Sequence, residues 1–215
     1  MLKDLPKPVS SIKAFSLPPN KTILKLIYHV EEVLSTFYYL GERGDDDDWE
    51  DDVTQALVED LNQFNPRIPF YFDKQHRTNR GRHCPLPDIG VKVKGGDYFF
   101  HLEAKLFVKE YVYGATGGVE RFKKEKHGVE YINSVRHRFS YSGILGYMLD
   151  NDFQHWHNKV NSWIQTRIRE NTDIEWTDAD KLELIYQQSK VAKFHSKNKT
   201  VTGEIELVHL WVDLK

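Results

Sequence analysis

Cysteine is almost absent from this 215-residue chain, which contains only Cys84. A single thiol excludes an internal disulfide framework and suits a reducing cytosol. No apolar run approaches the roughly 18 residues of a membrane span, and the N-terminus lacks the apolar core of a secretory signal. We therefore expect a cytoplasmic protein with no membrane partner.

Several signatures of known enzyme classes are also absent. The sequence contains neither a Gly-x-Ser-x-Gly elbow nor a His-Glu-x-x-His helix, so these hydrolase and zinc-protease classes have no support. His155 and His157 do not predict a zinc site, because residues two apart on a helix point in different directions and no cysteine completes a tetrahedral set.

The chain has the composition of a folded protein, with 40% hydrophobic and 13% aromatic residues, and its length suits one domain. Its net charge is −2, yet residues 74–138 hold 14 Lys and Arg against 7 Asp and Glu. A basic middle third indicates a polyanionic partner or, equally, ordinary charged helix surfaces. Charge alone does not decide between these interpretations.

Apolar periodicity predicts an α/β fold. We expect one domain, 1–215, made of an N-terminal arm and helix (1–48), a core (49–150) and a C-terminal helix and hairpin (151–215). A Gly95-Gly96 turn joins two strands into a hairpin. The predicted helices span 22–40, 49–62, 119–126 and 152–169, and the predicted strands span 70–72, 89–94, 98–108, 144–149, 182–187 and 204–214.

The strand at 98–108 carries an unusual face. Side chains alternate along a strand, so His101, Glu103 and Lys105 share one face while Leu102 and Ala104 belong to an apolar one. The ordinary interpretation is a strand with one packed side and one solvated side that bears a Glu/Lys pair.

Asp88 favours a different interpretation. It follows Pro87 at the start of the preceding strand, and the hairpin brings it beside Glu103 and Lys105. Two carboxylates at strand ends form a hard oxygen site suited to Mg²⁺, which polarises phosphoryl oxygens and activates water. A nearby lysine would position that water or stabilise negative charge. The pattern therefore predicts phosphodiester hydrolysis.

Pro87-Asp88 together with Glu103-Ala104-Lys105 resembles the motif of the PD-(D/E)XK, or restriction-endonuclease-like, nucleases. The predicted order from 49 to 149 (helix, three strands, helix, strand) is similar to the core of that superfamily. The resemblance covers about the middle half of the chain. It implies a mixed central sheet flanked by helices, a Mg²⁺ ion (with Mn²⁺ as a substitute) bound by Asp88, Glu103 and the Ala104 carbonyl, and a catalytic Lys105.

Many members of the superfamily also place a glutamate on the helix before the first core strand, which here implies a role for Glu50. The alternatives are an acidic first turn favoured by the helix dipole, or Glu59 in place of Glu50. Asp97 is an alternative to Asp88, but it lies at the turn and has no preceding proline.

Basic residues near the motif are expected to contact phosphates, which gives affinity without reading sequence. One group precedes Asp88, and the other follows the Gly117-Gly118 helix start, whose N–H groups suit a phosphate. These residues are Arg77, Arg80, Arg82, Arg121, Lys123 and Lys124.

The sequence thus predicts a Mg²⁺-dependent nuclease, acting on DNA in preference to RNA, in restriction or anti-phage defence. Cutting both strands would need a homodimer or a partner subunit of a defence complex, with the apolar C-terminal hairpin as the interface. The alternatives are a catalytically inactive member that binds nucleic acid or a protein, and a structural α/β protein with a solvated basic surface.

Overall fold

The structure is a computed structural model that describes residues 21–41, 46–64, 68–74, 87–93, 95–132, 135–170 and 172–215. Four predictions lie outside these described residues: the extended arm at 1–20, and phosphate contacts by Arg77, Arg80 and Arg82. Within the described part of the chain, no helix is both long enough and apolar enough to cross a bilayer.

The described residues form four α-helices, in agreement with the predicted positions: α1 Lys21–Thr36, α2 Asp46–Gln63, α3 Gly118–Lys123 and α4 Phe153–Arg169. Helix α4 begins where the side chain of Asp152 accepts a hydrogen bond from the backbone N–H of His155 at 2.7 Å, a standard N-cap. Helix α3 ends earlier than the periodicity indicates, because Glu125 adopts a left-handed backbone conformation with φ of 53°.

The described strands are β1 Phe70–Lys74, β2 Ile89–Val93, β3 Tyr98–Leu106, β4 Val129–Ile132, β5 Val135–Arg138, β6 Tyr141–Met148, β7 Glu183–Gln187, β8 Val191–Lys199 and β9 Glu204–Asp213. Seven of them form one sheet in the order β1-β2-β3-β6-β9-β8-β7, and β4 and β5 pair separately. The β3–β6 and β6–β9 pairs are parallel, while the other neighbours are antiparallel. The large sheet is therefore mixed.

Helices cover both faces of the large sheet. Apolar residues of α1 and α2, such as Leu26 and Leu57, pack with Leu102 and Leu145 on one face. On the other face, residues of α3 and α4, such as Phe122 and Val160, pack in a second core. Burial on both faces explains the nearly continuous apolar run of β6, since strands covered on both sides lose the alternating pattern. The predicted α/β class is confirmed at this level.

The prediction of only two C-terminal strands was wrong, because β8 lies between β7 and β9. The sequence does not predict β8 because its polar residues suggest exposure, yet Lys193 and His195 are buried. Each has an acidic partner: Lys193 Nζ lies 2.5 Å from Glu31 Oε1 and His195 Nε2 lies 3.1 Å from Glu206 Oε2. A buried strand whose polar residues are paired inside the protein lacks the apolar pattern by which strands are predicted.

The two strands of the predicted C-terminal hairpin differ in exposure, because β7 is an edge strand of the sheet with Leu184 50% exposed, whereas β9 lies inside the sheet. Strand β9 pairs with β6 on one side and β8 on the other, and Leu207, Leu210 and Trp211 are buried inside this chain. The small β4–β5 hairpin was also missed, since every residue of β5 is exposed and the strand has no apolar alternation.

Candidate functional site

The polar face of β3 is buried rather than solvated, which corrects the ordinary interpretation of that strand. Glu103 is 0% exposed and Lys105 is 7% exposed. Helix α3 lies close over this face at Gly118, where a Cβ would stand 2.9 Å from the Tyr111 carbonyl oxygen and 3.4 Å from Lys105 Cγ. Glycine therefore allows the helix to approach the strand that carries the acidic and basic side chains.

Asp88 lies beside Glu103, as the hairpin predicted. Strands β2 and β3 are antiparallel with Ile89 opposite Leu102, so the residue before Ile89 meets the residue after Leu102. The Asp88 carboxylate accepts a hydrogen bond from the backbone N–H of Ala104, with 2.7 Å between Oδ2 and N. Asp97 is exposed at the turn and does not join this group.

Glu50 reaches the same place from α2. The helix is held against β1 by Asn62, which exchanges hydrogen bonds of 2.9 and 3.0 Å with the backbone of Phe72. The Glu50 carboxylate accepts a hydrogen bond of 2.8 Å from the backbone N–H of Leu106. Glu59, the alternative, is exposed and bonds Gln55 at 2.7 Å, so the structure brings Glu50 and not Glu59 to the site.

Lys105 is the common partner of these acids. Its Nζ lies 3.1 Å from Glu103 Oε1, 3.3 Å from Glu50 Oε1 and 3.8 Å from Asp88 Oδ2. We call this group (Glu50, Asp88, Glu103 and Lys105) the carboxylate cluster. Burial alone would lower the pKa of Lys105, but the three carboxylates raise it above its usual range, so the ammonium stays charged.

Glu103 is enclosed by further basic side chains. Arg121 Nη1 donates to Glu103 Oε1 at 2.6 Å, and His127 Nδ1 lies 2.9 Å from Oε2. The second contact is not aligned as a hydrogen bond, so within the described residues Oε2 and both His127 ring nitrogens have no hydrogen-bond partner. Burial would raise the pKa of Glu103, but His127, Lys105 and Arg121 lower it to about 2.

His127 had no signal in the sequence. It reaches Glu103 only because α3 ends and the chain turns back at Gly128, which has φ of 73°. Such a contact depends on how α3 packs over β3, and no spacing rule predicts it.

The remaining acids of the carboxylate cluster are less well compensated. Burial, followed by the nearby charge of Glu103, raises the pKa of Asp88 to about 8, and burial raises the pKa of Glu50. Their side chains are 24% and 23% exposed, so solvent reaches both. A partly open site with more carboxylates than neighbouring cations favours binding of a further cation.

The predicted phosphate contacts on α3 need revision. Lys123 is 0% exposed and its Nζ lies 2.5 Å from Asp180 Oδ1, so the prediction that it binds nucleic acid was wrong. Arg121 is directed at Glu103. Lys124 is partly exposed and pairs with Glu120 and Asp173 at 2.6 and 3.0 Å.

The glycine-rich start of α3 is closed by the chain itself. The N–H of Glu120 donates to the Val112 carbonyl at 2.9 Å, and the Glu120 carboxylate accepts from the N–H of Gly114 at 3.0 Å. The helix has only six residues. Gly117 and Gly118 are themselves buried, so the structure does not present them as the open phosphate site that the sequence predicted.

Asp88 and Glu50 fit a Mg²⁺ ion by the chemistry of their donors, since this ion takes one or two carboxylates and fills its other positions with water and phosphate. Among the described residues, no three His, Cys, Asp or Glu side chains are grouped to hold a metal ion. Glu103 was predicted to be a metal ligand, but its carboxylate here faces Arg121, Lys105 and His127.

Comparison with known proteins adds no assignment: no protein-family model, no curated protein and no solved structure matches this chain.

Proposed function

We propose that this protein is a divalent-metal-dependent nuclease of the restriction-endonuclease-like type, acting on DNA in preference to RNA. The observation that carries the proposal is the carboxylate cluster. Three acids, from α2, from the residue before β2 and from β3, converge on one buried ammonium near the C-terminal end of β3. Such a grouping is costly in stability, and perturbed ionisation in a cleft is typical of functional sites.

The strand arrangement around the carboxylate cluster supports the same proposal. The succession α2, β1, β2, β3, α3 and β6, with β4 and β5 inserted before β6, follows the same order as the helix, three strands, helix and strand that the motif implies. In the sheet, β1, β2 and β3 form an antiparallel meander and β6 joins β3 in parallel. Motif and topology are independent properties of the chain, so their agreement strengthens the proposal.

The proposed Mg²⁺ would be held by Asp88 with Glu50, and by Glu103 and the Ala104 carbonyl if Glu103 exchanges one of its present partners for the ion. When bound, the ion supplies charge neutralisation at a phosphoryl oxygen and a water of lowered pKa. Mn²⁺ would serve as a substitute.

Lys105 would act as a fixed positive charge. Its raised pKa keeps it protonated, so it is suited to orient a water and to stabilise negative charge on phosphate oxygens, and unsuited to remove a proton. The N–H groups of Ala104 and Leu106 hold Asp88 and Glu50 in place at 2.7 and 2.8 Å. Backbone donors of this kind preorganise a site before substrate arrives.

One observation favours an alternative, a catalytically inactive member that binds nucleic acid or a protein. Glu103 already contacts Arg121, Lys105 and His127, so its charge is compensated without a metal. A carboxylate compensated in this way also serves as a purely structural feature.

Cleavage assays separate the two functions. Plasmid, linear duplex, single-stranded DNA and RNA would be incubated with Mg²⁺, Mn²⁺ or EDTA and the wild type, Glu50→Gln or Lys105→Met. Glu59→Gln is the matched control for Glu50→Gln, since Glu59 lies on the same helix but is exposed. We expect metal-dependent cleavage that is lost in both site variants and kept in the control. Absence of cleavage, together with equal Mn²⁺ binding by wild type and Asp88→Asn in calorimetry, would favour the inactive alternative.

A role in restriction or anti-phage defence, and a homodimer or partner subunit for cutting both strands, remain predictions from the resemblance. Sedimentation with and without duplex DNA would test the second of these.

A further inference from the structure

Arg121 reaches the interior of the carboxylate cluster from α3. It lies three residues after Gly118, and residues three apart share a helix face. Gly118 lies against the Lys105 side chain, so that face of the helix is turned toward β3. The guanidinium donates to Glu103 Oε1 at 2.6 Å, and only 18% of the Arg121 side chain is exposed.

Arg121 and Lys105 both contact the same carboxylate oxygen of Glu103. Glu103 Oε1 lies 2.6 Å from Arg121 Nη1 and 3.1 Å from Lys105 Nζ. Glu103 is completely buried, and a buried carboxylate keeps its place only when charged or hydrogen-bonding partners surround it. Arg121 is the aligned, charge-assisted partner of that oxygen, the strongest kind of hydrogen bond in proteins.

The position of Lys105 therefore depends on Arg121 through one carboxylate. Resting on the proposed function, we propose that Arg121 is a positioning residue: it fixes the buried Glu103 and, through Glu103, sets the Lys105 ammonium for phosphodiester hydrolysis. This role replaces the phosphate contact expected from the sequence. Arg121 acts on the reaction through its neighbours and does not touch the substrate.

Steady-state kinetics distinguish positioning from substrate contact. With labelled duplex DNA and Mn²⁺, we expect Arg121→Gln to lower kcat about 10- to 100-fold, the usual cost of losing a hydrogen bond that orients a metal-site carboxylate, with KM within twofold of wild type. Arg121→Lys restores part of kcat because it keeps a cation near Glu103. A phosphate contact would instead weaken DNA binding in EDTA and reduce its salt dependence by about one counterion, a result that overturns the proposal.

A second measurement needs neither metal nor cleavage. In EDTA, the ¹H–¹⁵N resonances of Ala104 and Leu106 report the hydrogen bonds that these residues donate to Asp88 and Glu50. We expect both resonances to shift in Arg121→Gln and to stay unchanged in the matched control Lys124→Gln, whose side chain pairs with Glu120 and Asp173. Unchanged resonances in Arg121→Gln would overturn the inference.

The two measurements fail separately. If wild type cleaves no substrate and binds Mn²⁺ no better than Asp88→Asn, while the Ala104 and Leu106 resonances still respond to Arg121→Gln, the nuclease proposal fails and the positioning role stands. If Arg121→Gln does not fold, as judged by circular dichroism, Arg121→Lys and the same resonances decide the question, since that variant keeps the buried charge. In Arg121→Lys, shifted Ala104 and Leu106 resonances support the proposal. Resonances and a kcat that both equal the wild-type values overturn it.

Discussion

Two basic residues of one short helix, Arg121 and Lys123, end in opposite surroundings. Lys123 Nζ lies 2.5 Å from Asp180 Oδ1, with both side chains 0% exposed, and also lies over the ring of Trp176. Arg121 instead joins a group in which Glu103, Asp88 and Glu50 share Lys105. The first arrangement is sealed and matched in charge, and the second is partly open and rich in carboxylates.

Under the proposed function, this difference separates a buried charge pair that serves the fold from a group of charges that serves the reaction. Burial lowers the pKa of Lys123 and raises that of Asp180, so each charge depends on its partner and none remains for a ligand. In the carboxylate cluster, burial and the nearby charge of Glu103 raise the pKa of Asp88 to about 8, and the charge of Lys105 offsets this only in part. Under the proposed function, a divalent cation would supply further positive charge there, whereas the Lys123–Asp180 pair needs none.

The largest expected effect is on catalysis at the carboxylate cluster. Lys105→Met removes the ammonium that three carboxylates share, and we expect cleavage to fall about 10²- to 10³-fold, the usual cost of removing a preorganised electrostatic group. Single-turnover cleavage of duplex DNA with Mg²⁺ measures it, with Lys124→Gln as the control. Cleavage within threefold of wild type would show that Lys105, like Lys123, serves the fold and not the reaction.

Substitutions in the buried Lys123–Asp180 pair should affect stability instead of activity. Lys123→Met leaves Asp180 charged and buried, and we expect a loss of about 3–5 kcal/mol in the free energy of unfolding. Adding Asp180→Leu should recover only part of it, since replacing both charges with apolar groups is often neutral, but the change also removes the carboxylate that accepts a hydrogen bond from the Thr177 N–H at 2.6 Å. Urea denaturation measures both variants. Activity per folded molecule should stay at the wild-type value, and a selective loss of activity would contradict a purely structural pair.

The pH dependence of the free energy of unfolding should report the raised pKa of Asp88. Its pKa is about 8 in the folded protein and about 3.9 when unfolded, so the folded state binds the proton more tightly. The stabilisation from this group is complete below about pH 4 and is lost as pH rises toward 8. Glu103, with a pKa of about 2, has the opposite sign and stabilises the fold at pH values above about 4.3.

Between pH 5 and 8 in EDTA, the free energy of unfolding should therefore fall by up to about 1.4 kcal/mol per pH unit from Asp88. Chemical denaturation at several pH values measures the slope. Asp88→Asn should flatten it, and Mn²⁺ should restore stability at pH 8 in wild type but not in this variant. An equal slope in both proteins would show that Asp88 is ordinarily ionised and the carboxylate cluster is already balanced.

The smallest effect is expected at Lys124, the third basic residue of this segment. Its contacts with Glu120 and Asp173 are partly exposed, and such pairs contribute about 0–1 kcal/mol. Lys124→Gln should change the free energy of unfolding by less than about 0.5 kcal/mol and leave cleavage unchanged. A clear loss of DNA affinity in this variant, measured by fluorescence anisotropy, would restore the phosphate contact expected from the sequence.

The convergence of Asp88, Glu103 and Lys105 was predictable because it depends on local rules. Strand alternation places Glu103 and Lys105 on one face, and a hairpin with a Gly95-Gly96 turn returns Asp88 to the same end. The register of Ile89 opposite Leu102 confirms this geometry. Glu50 was reached only through the resemblance, since its position depends on how α2 docks on β1.

Burial was the main point at which sequence reasoning failed. Lys123 and Lys193 are both buried beside acids from distant segments, Asp180 and Glu31. A basic residue without a local partner predicts exposure, and these partners are known only after the chain has folded. The same reason explains the missed strand β8.

The sequence by itself determined the alternation of β3, the hairpin that brings Asp88 to Glu103, the helices with a clear apolar face and the α/β class. These depend on contacts between residues near in the chain. Only the tertiary structure decided that α3 covers the polar face of β3, that Arg121 and His127 enclose Glu103, and that Lys123 is sealed. Those outcomes follow from packing between distant elements, where the energy of a charge depends on its surroundings more than on its identity.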